Sequence, residues 1–288
     1  MISRDPRPSL SPFVKTLWAS DGSGEPRPGA RELVLPTGEM HLVFRLSDDP
    51  LRLFRDAADC VGRTVGHAIL GGARAAPYVR DVSQPARSVG AQLRPGVARL
   101  LLGVPADELA ERHTPLEDLW GRAAREMRER LQELSSPERR LDMFESFLAA
   151  RLPSVRGIHP AVAEALERFA LTPDVGPAVR DSGYSHRRFV ALFREGVGLT
   201  PKLYCRVLRF QRALRLLATE PGLTTVNMAI DIGYSDQPHF TREFREFAGL
   251  SPGEYRRLSP AQTHHVPIRP STSTGPRGQL RSRQLLIR

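Results

Sequence analysis

Hydrophobic and polar positions along this chain follow two different periods. Near the start, apolar residues alternate with polar ones. Met40, Leu42, Phe44 and Leu46 interleave with His41, Val43 and Arg45, the two-residue period of a half-buried strand. Residues 13–18 read as a first strand. Residues 31–35 and 39–46 read as a strand pair meeting at the turn signal Pro36-Thr37-Gly38. Further short strands are expected at 51–55, 64–71, 76–82 and 87–93, punctuated by Gly and Pro. Short strands at this spacing predict a small antiparallel sheet or barrel. Past residue 94 the period lengthens. Segments 95–102, 105–112, 115–134 and 137–152 read as helices, each opened by a proline. Leu116, Leu119, Trp120 and Ala123 form one apolar face, and Leu141, Phe144, Phe147 and Leu148 another.

The last third carries a repeat. Residues 224–255 read as two helices around Gly233, which suits the left-handed end of a helix, with Asp236 as the next N-cap. Val226, Ala229 and Ile230 are the expected apolar face of the first helix; Phe240, Phe244 and Phe247 are that of the second. An earlier stretch matches it. Asp181, Gly183 and Tyr184 anticipate Asp231, Gly233 and Tyr234. Phe189, Phe193, Gly198, Thr200-Pro201 and Tyr204 anticipate Phe240, Phe244, Gly249, Ser251-Pro252 and Tyr255. This is an internal duplication of a helix-turn-helix, the unit whose second helix enters the DNA major groove. Between the copies, residues 202–217 have a strong helical period. Arg206, Arg209, Arg212 and Arg215 recur every third residue and so drift round that helix.

Charge sharpens this picture. The 288 residues carry a net charge of +10. Lys and Arg number 22 against 21 Asp and Glu in residues 1–155, 15 against 11 in 156–258, and 5 against none in 259–288. The excess therefore lies with the repeat and the tail, where phosphate neutralisation needs it. Two distant cysteines, Cys60 and Cys205, suggest no disulfide framework and a reduced, cytoplasmic setting. No run of about 18 apolar residues points to a membrane. Cys60, His41, His67 and His113 stand in no metal-ligating spacing, so no metal or cofactor is expected.

The run from Gly233 to Arg256, with its turn, phenylalanines, Gly-x-Ser-Pro and Tyr-Arg, resembles the DNA-binding domain of AraC/XylS-type bacterial transcription regulators. The likeness covers about 158–257. It implies seven helices with two helix-turn-helix motifs bridged by a long helix. More loosely, Leu10-Ser-Pro-Phe-Val14 with Trp18, Leu35-Pro-Thr-Gly38, Gly90–Gly96 and Pro115–Gly121 resemble the N-terminal domain of a subset of these regulators. That implies a regulatory domain of unassigned ligand. The expected fold class is α+β: an N-terminal antiparallel sheet or barrel followed by helices, then an all-α DNA-binding domain. The expected parts are a sensory domain at 1–152, a linker at 153–160, the DNA-binding domain at 161–258 and a basic, disordered tail at 259–288.

Ser185 is the expected N-cap of the first recognition helix, which opens His186-Arg187-Arg188. The resemblance places Arg187, Val190 and Ala191 toward bases in the first motif, and Pro238, His239 and Arg242, beside Gln237, in the second. An arginine can fork onto guanine O6 and N7. Val190, Ala191 and Pro238 depart from polar readers and offer only apolar contact, as to a thymine methyl. Arg194 and Arg245, equivalent in the two copies, suit phosphate, and Arg209 on the bridge joins them. Arg242 has an alternative partner in Glu246, one turn on. The expected partners are promoter DNA across adjacent major grooves, a small-molecule effector, a second copy of the chain, and RNA polymerase if the protein activates. Two other readings remain for the N-terminal domain: a protein-interaction module or an enzyme. No nucleophile elbow or phosphate loop supports catalysis.

Overall fold

The computed structural model describes residues 1–152 and 157–268. Two antiparallel sheets build the first half. One has the order β1 (Ile2–Arg4), β2 (Val14–Asp21), β9 (Arg87–Leu93), β4 (His41–Arg45), β7 (Ala68–Gly71) and β10 (His113–Pro115). The other has the order β11 (His265–Ile268), β3 (Arg31–Val34), β8 (Tyr78–Asp81), β5 (Leu51–Phe54) and β6 (Arg63–Gly66). Alternation decides what each face of the first sheet meets. Leu42 and Phe44 are fully buried in the main core, where Phe44 packs edge-on against Phe144, 5.5 Å away. Val43 pairs with Ile69, and Ile69 packs with Leu51 and Leu53 of the second sheet. His113 of β10 meets Tyr78 of β8 at 4.5 Å between rings. The two sheets thus face each other, and the opposite side of the first is covered by helices.

Those helices are α1 (Ala98–Leu102), α2 (Ala106–Leu109), α3 (Glu117–Trp120), α4 (Arg122–Glu133) and α5 (Pro137–Ala149). The helix expected over 115–134 starts later and breaks. Pro115 ends β10, and Gly121, at φ 55° and ψ −133°, separates α3 from α4 in a conformation open to glycine. Two buried charges lock α5 in place. Arg140, 1% exposed, holds Asp21 at 2.6 Å and the carbonyls of Leu134 and Ser135. Glu145, equally buried, accepts from Arg4 of β1 at 2.8 Å. Among the described residues seven helices follow: α6 (Pro160–Leu171), α7 (Val175–Asp181), α8 (His186–Val197), α9 (Pro201–Thr219), α10 (Thr225–Ile232), α11 (Gln237–Ala248) and α12 (Pro252–Leu258). One apolar core runs from the first sheet through to these helices. Arg99 of α1 pairs with Glu195 of α8 at 2.7 Å, and Val207 of α9 lies over Gly38.

Several expectations are corrected. β3 and β4 are not a hairpin: β3 pairs with β8 and β11, while β4 pairs with β7 and β9. The Pro36-Thr37-Gly38 segment carries the chain from one sheet to the other. Residues 64–71 are likewise two strands, split between the sheets. On α10 the buried residues are Met228, Ala229 and Ile232, while Val226 and Ile230 are 49% and 66% exposed. Of the expected linker, 153–156 lie outside the described residues, and His159 caps α6 by accepting from the Ala161 N–H.

The tail is the largest correction. Residues 269–288 lie outside the described residues, but 259–268 are ordered, and β11 adds to the edge of β3. Val266 is 2% exposed, Tyr255 Oη donates to the Thr263 carbonyl at 2.8 Å, and His264 meets Gln211 of α9. Beside β11, Glu32 bridges Arg80 (2.6 Å) and His265 (3.0 Å). Burial alone would raise its pKa, but the hydrogen bond with His265 and the Arg80 charge outweigh burial and hold it at about 2. A depressed carboxylate stabilises the fold above its ordinary pKa of 4.5, and that contribution fades as pH falls toward 2. Glu32→Gln should therefore cost up to about 3 kcal/mol at pH 7. The gap to the wild type should close between pH 4.5 and 2 in urea titrations. A gap that stays constant over that window would contradict the assignment.

Candidate nucleic-acid interface

The two copies are built by the same local rules. Ser185 caps α8 by accepting from the Arg188 N–H, and Asp236 caps α11 by accepting from the His239 N–H at 2.7 Å. Gly183 and Gly233, at φ 70° and 89°, turn the chain before each recognition helix. Both recognition helices have 12 residues and end on a left-handed glycine, Gly198 or Gly249. Thr200 and Ser251 then cap the following helix, with Pro201 and Pro252 in its first turn. Phe193 meets Tyr204 edge-on at 5.6 Å, and Phe244 meets Tyr255 edge-on at 5.9 Å. Phe189, Phe193, Phe240, Phe244 and Phe247 are all at most 1% exposed. With one face so fixed, the opposite face must look outward.

On α8 that face presents His186, Arg187, Arg188, Ala191 and Arg194, all exposed, with Val190 half-buried. On α11, Gln237, Pro238, Thr241, Arg242 and Arg245 line one open depression. His239 is half-buried, its Nδ1 3.2 Å from Ser235 Oγ and its ring edge-on to Tyr234. Among the described residues, Arg187, Arg188, Arg242 and Arg245 have no ion-pair partner. Glu246, the alternative partner for Arg242, is taken by Arg206 at 2.6 Å.

Behind α11 sits a charge cluster. Glu243 is 4% exposed and receives Arg206 Nε at 2.8 Å, Arg209 at 3.4 Å and the Tyr234 hydroxyl at 2.7 Å. Burial pushes its pKa up, but the hydrogen bonds from Arg206 and Tyr234 and the two guanidinium charges prevail and lower it. The same contacts act oppositely on Tyr234, whose pKa is raised first by burial and then by Glu243. The equivalent position in the first copy is Leu192, 9% exposed. The cluster therefore belongs to the second copy alone.

Residues 179–258 match a family model described as a helix-turn-helix domain, and residues 3–115 match a domain of unknown function, DUF6597. Over 77 residues the chain is 38% identical to the F1 operon positive regulatory protein of Yersinia pestis, covering 27% of this chain and 25% of that one. Over 84 residues it is 26% identical to the HTH-type transcriptional regulator MtrA of Neisseria gonorrhoeae, covering 29% and 28%. The C-terminal part of the chain is a helix-turn-helix domain. The chain spans about a quarter of the length of these curated relatives. Among solved structures, ToxT from Vibrio cholerae overlays at a TM-score of 0.42 and 10% identity, over 84% of this chain and 96% of that one, too distant to inform the site.

Within the helix-turn-helix domain the residues named from sequence divide. Arg187, Arg188, Ala191, Gln237, Pro238, Arg242 and Arg245 share the open faces. Arg194 is exposed too, but its Nε lies 3.8 Å from Asp107 of α2. Arg209 is misplaced by the sequence reading: three-quarters buried, it points at Glu243 and stacks over Tyr234, 5.2 Å from the ring centre. Thr241 was missed, though its place one turn after Gln237 gives it the same face. Glu243 was missed because an acidic residue in an amphipathic helix reads as solvated. Its removal should leave the part-buried Arg209 uncompensated and Arg206 with the exposed Glu246 as its one partner among the described residues. Glu243→Ala should lower stability by about 3 kcal/mol in urea unfolding, against less than about 1 kcal/mol for the exposed Glu246→Ala. Equal losses would mean that the cluster does not anchor α11.

Proposed function

We propose that this chain is a sequence-specific DNA-binding transcription regulator whose first half is its regulatory domain. The observation that carries the reading is the pair of equivalently built recognition helices, α8 and α11, each offering unpaired arginines on its outward face. Such helices seat in major grooves, where base edges are distinguishable. Arg187 and Arg242 are assigned to bases. Arg188 and Arg245 are assigned to phosphates, and Ala191, Val190 and Pro238 to apolar base contacts. The one rigid bridge α9, of 19 residues, fixes the spacing of the two recognition helices, which must both reach major grooves about 34 Å apart. Seating both helices together therefore favours DNA bent toward the protein. The first half would set DNA affinity through a small-molecule effector or through pairing of two copies. Relatives over the helix-turn-helix region are transcription regulators, which supports this reading over an enzyme.

Selection of genomic fragments at two salt concentrations, followed by footprinting, tests it. Protection should fall in two successive major grooves. Arg187→Ala and Arg242→Ala should each cost about 1–3 kcal/mol of specific affinity and relax the base preference at one position. Arg188→Ala and Arg245→Ala should weaken all sequences alike and lower the salt slope by about one. Unchanged specific affinity in both Arg187→Ala and Arg242→Ala would remove the residue assignment. Binding that is uniform and lost with salt would remove sequence specificity.

A further inference from the structure

The first half of the chain grips one recognition helix and not the other. Helices α1 and α2 both pack against α8. A Cβ added to Gly198, at the end of α8, would stand 3.1 Å from the Ala106 carbonyl oxygen, so α8 and α2 meet almost backbone to backbone. Arg99 of α1 takes Glu195 at 2.7 Å, and Asp107 of α2 reaches Arg194 at 3.8 Å. Glu108 lines a separate depression with Arg112 and Asp118, which leaves Asp107 as the carboxylate on the α8 side. Arg194 shares a helical stripe with Arg187 and Ala191, and all three are exposed. Asp107 therefore reaches onto the outward face of α8. The equivalent stripe of α11 is Pro238, Arg242 and Arg245. Among the described residues α11 makes ion pairs with α9 alone, and Arg245 has no ion-pair partner.

We propose that Asp107 is a built-in competitor for DNA phosphate, which weakens the first motif and leaves the second untouched. A carboxylate beside a guanidinium occupies the charge and the N–H donors that a phosphate oxygen would use. DNA that seats on α8 must displace Asp107 from Arg194 or tolerate its negative charge beside the strand. Both side chains are part-exposed, at 32% and 58%, so the competition is screened and is worth at most about fivefold in affinity. Its value is in where it acts. A movement of α1 and α2 within the first half frees Arg194 and changes the first motif alone, so the population of the released state sets how strongly the chain holds one half of its site. The inference rests on the reading of α8 as a DNA-recognition helix.

Fluorescence anisotropy on the full chain tests this, with a duplex from the genomic selection and a random-sequence duplex of equal length. Asp107→Asn should tighten binding to both by about two- to fivefold and steepen the salt slope by about one, as Arg194 gains a phosphate. Asp107→Glu keeps the carboxylate and should bind as the wild type does. Glu126→Gln removes the same charge from a paired surface carboxylate of α4 and should change neither affinity nor slope. Asp107→Asn/Arg194→Gln should bind no more tightly than Arg194→Gln. Thermal unfolding confirms that each variant is folded. The proposal is overturned if Asp107→Asn binds no more tightly than the wild type or Glu126→Gln, or if its gain survives the loss of Arg194. A gain on both duplexes with no preference between them would keep the competition and remove sequence specificity. A wild type and an Asp107→Asn variant that bind neither duplex would overturn both readings.

Discussion

Helix α9 must satisfy three partners at once, and the arrangement of everything around it follows. Near its start Tyr204 closes the first motif, meeting Phe193 at 5.6 Å and Phe169 at 6.5 Å. Two turns on, Phe210 closes the second, between Phe244 at 5.1 Å and Phe247 at 5.2 Å. Between them Val207, fully buried, lies over Gly38, while Gln211 donates to the Pro36 carbonyl and joins the helix to the sheets. A helix with apolar demands on several sides cannot rotate to suit one of them without opening another. That constraint fixes the spacing of the two recognition helices and ties both to the first half of the chain.

Parts of this were legible because they are local. Capping residues, left-handed glycines and phenylalanines at helical spacing act within a few residues, so the repeat announced both copies and the outward faces of α8 and α11. The sheets depend on partners far along the chain. Pro36-Thr37-Gly38 has the composition of a hairpin turn, but whether it returns a strand on its neighbour or passes it to a second sheet depends on β8 and β9. β11 was invisible for the same reason, since its partner β3 lies more than 200 residues earlier. On α10 the ambiguity is one of phase. Eight residues with apolar side chains at 226, 228, 229, 230 and 232 allow more than one buried stripe, and contact with α9 and α11 selects Met228, Ala229 and Ile232.

The copies also differ in a way that matters for the interface. Leu192 holds α8 to the core by apolar contact, whereas the equivalent Glu243 holds α11 through two arginines and a tyrosine hydroxyl. Tyr234 points inward to complete that cluster; its counterpart Tyr184 is 40% exposed and lies against His159. A directional cluster resists rolling of the helix more than apolar packing does, since hydrogen bonds weaken steeply off axis. The second motif is thus the more rigidly aimed of the two. The first is steadied from outside, by the contacts of Arg99 and Asp107 with Glu195 and Arg194.

The pairing of β11 with β3 makes the chain a closed circuit. The helical domain leaves the first half by its covalent connection before α6 and returns to it through four backbone-paired residues. Peeling β11 from β3 would therefore do more than remove a strand. It would open that circuit and leave the halves joined, apart from the covalent connection, through side-chain contacts alone, those of α8 and α9 with the first half, so that short sheet edge is the backbone-level fastening between them.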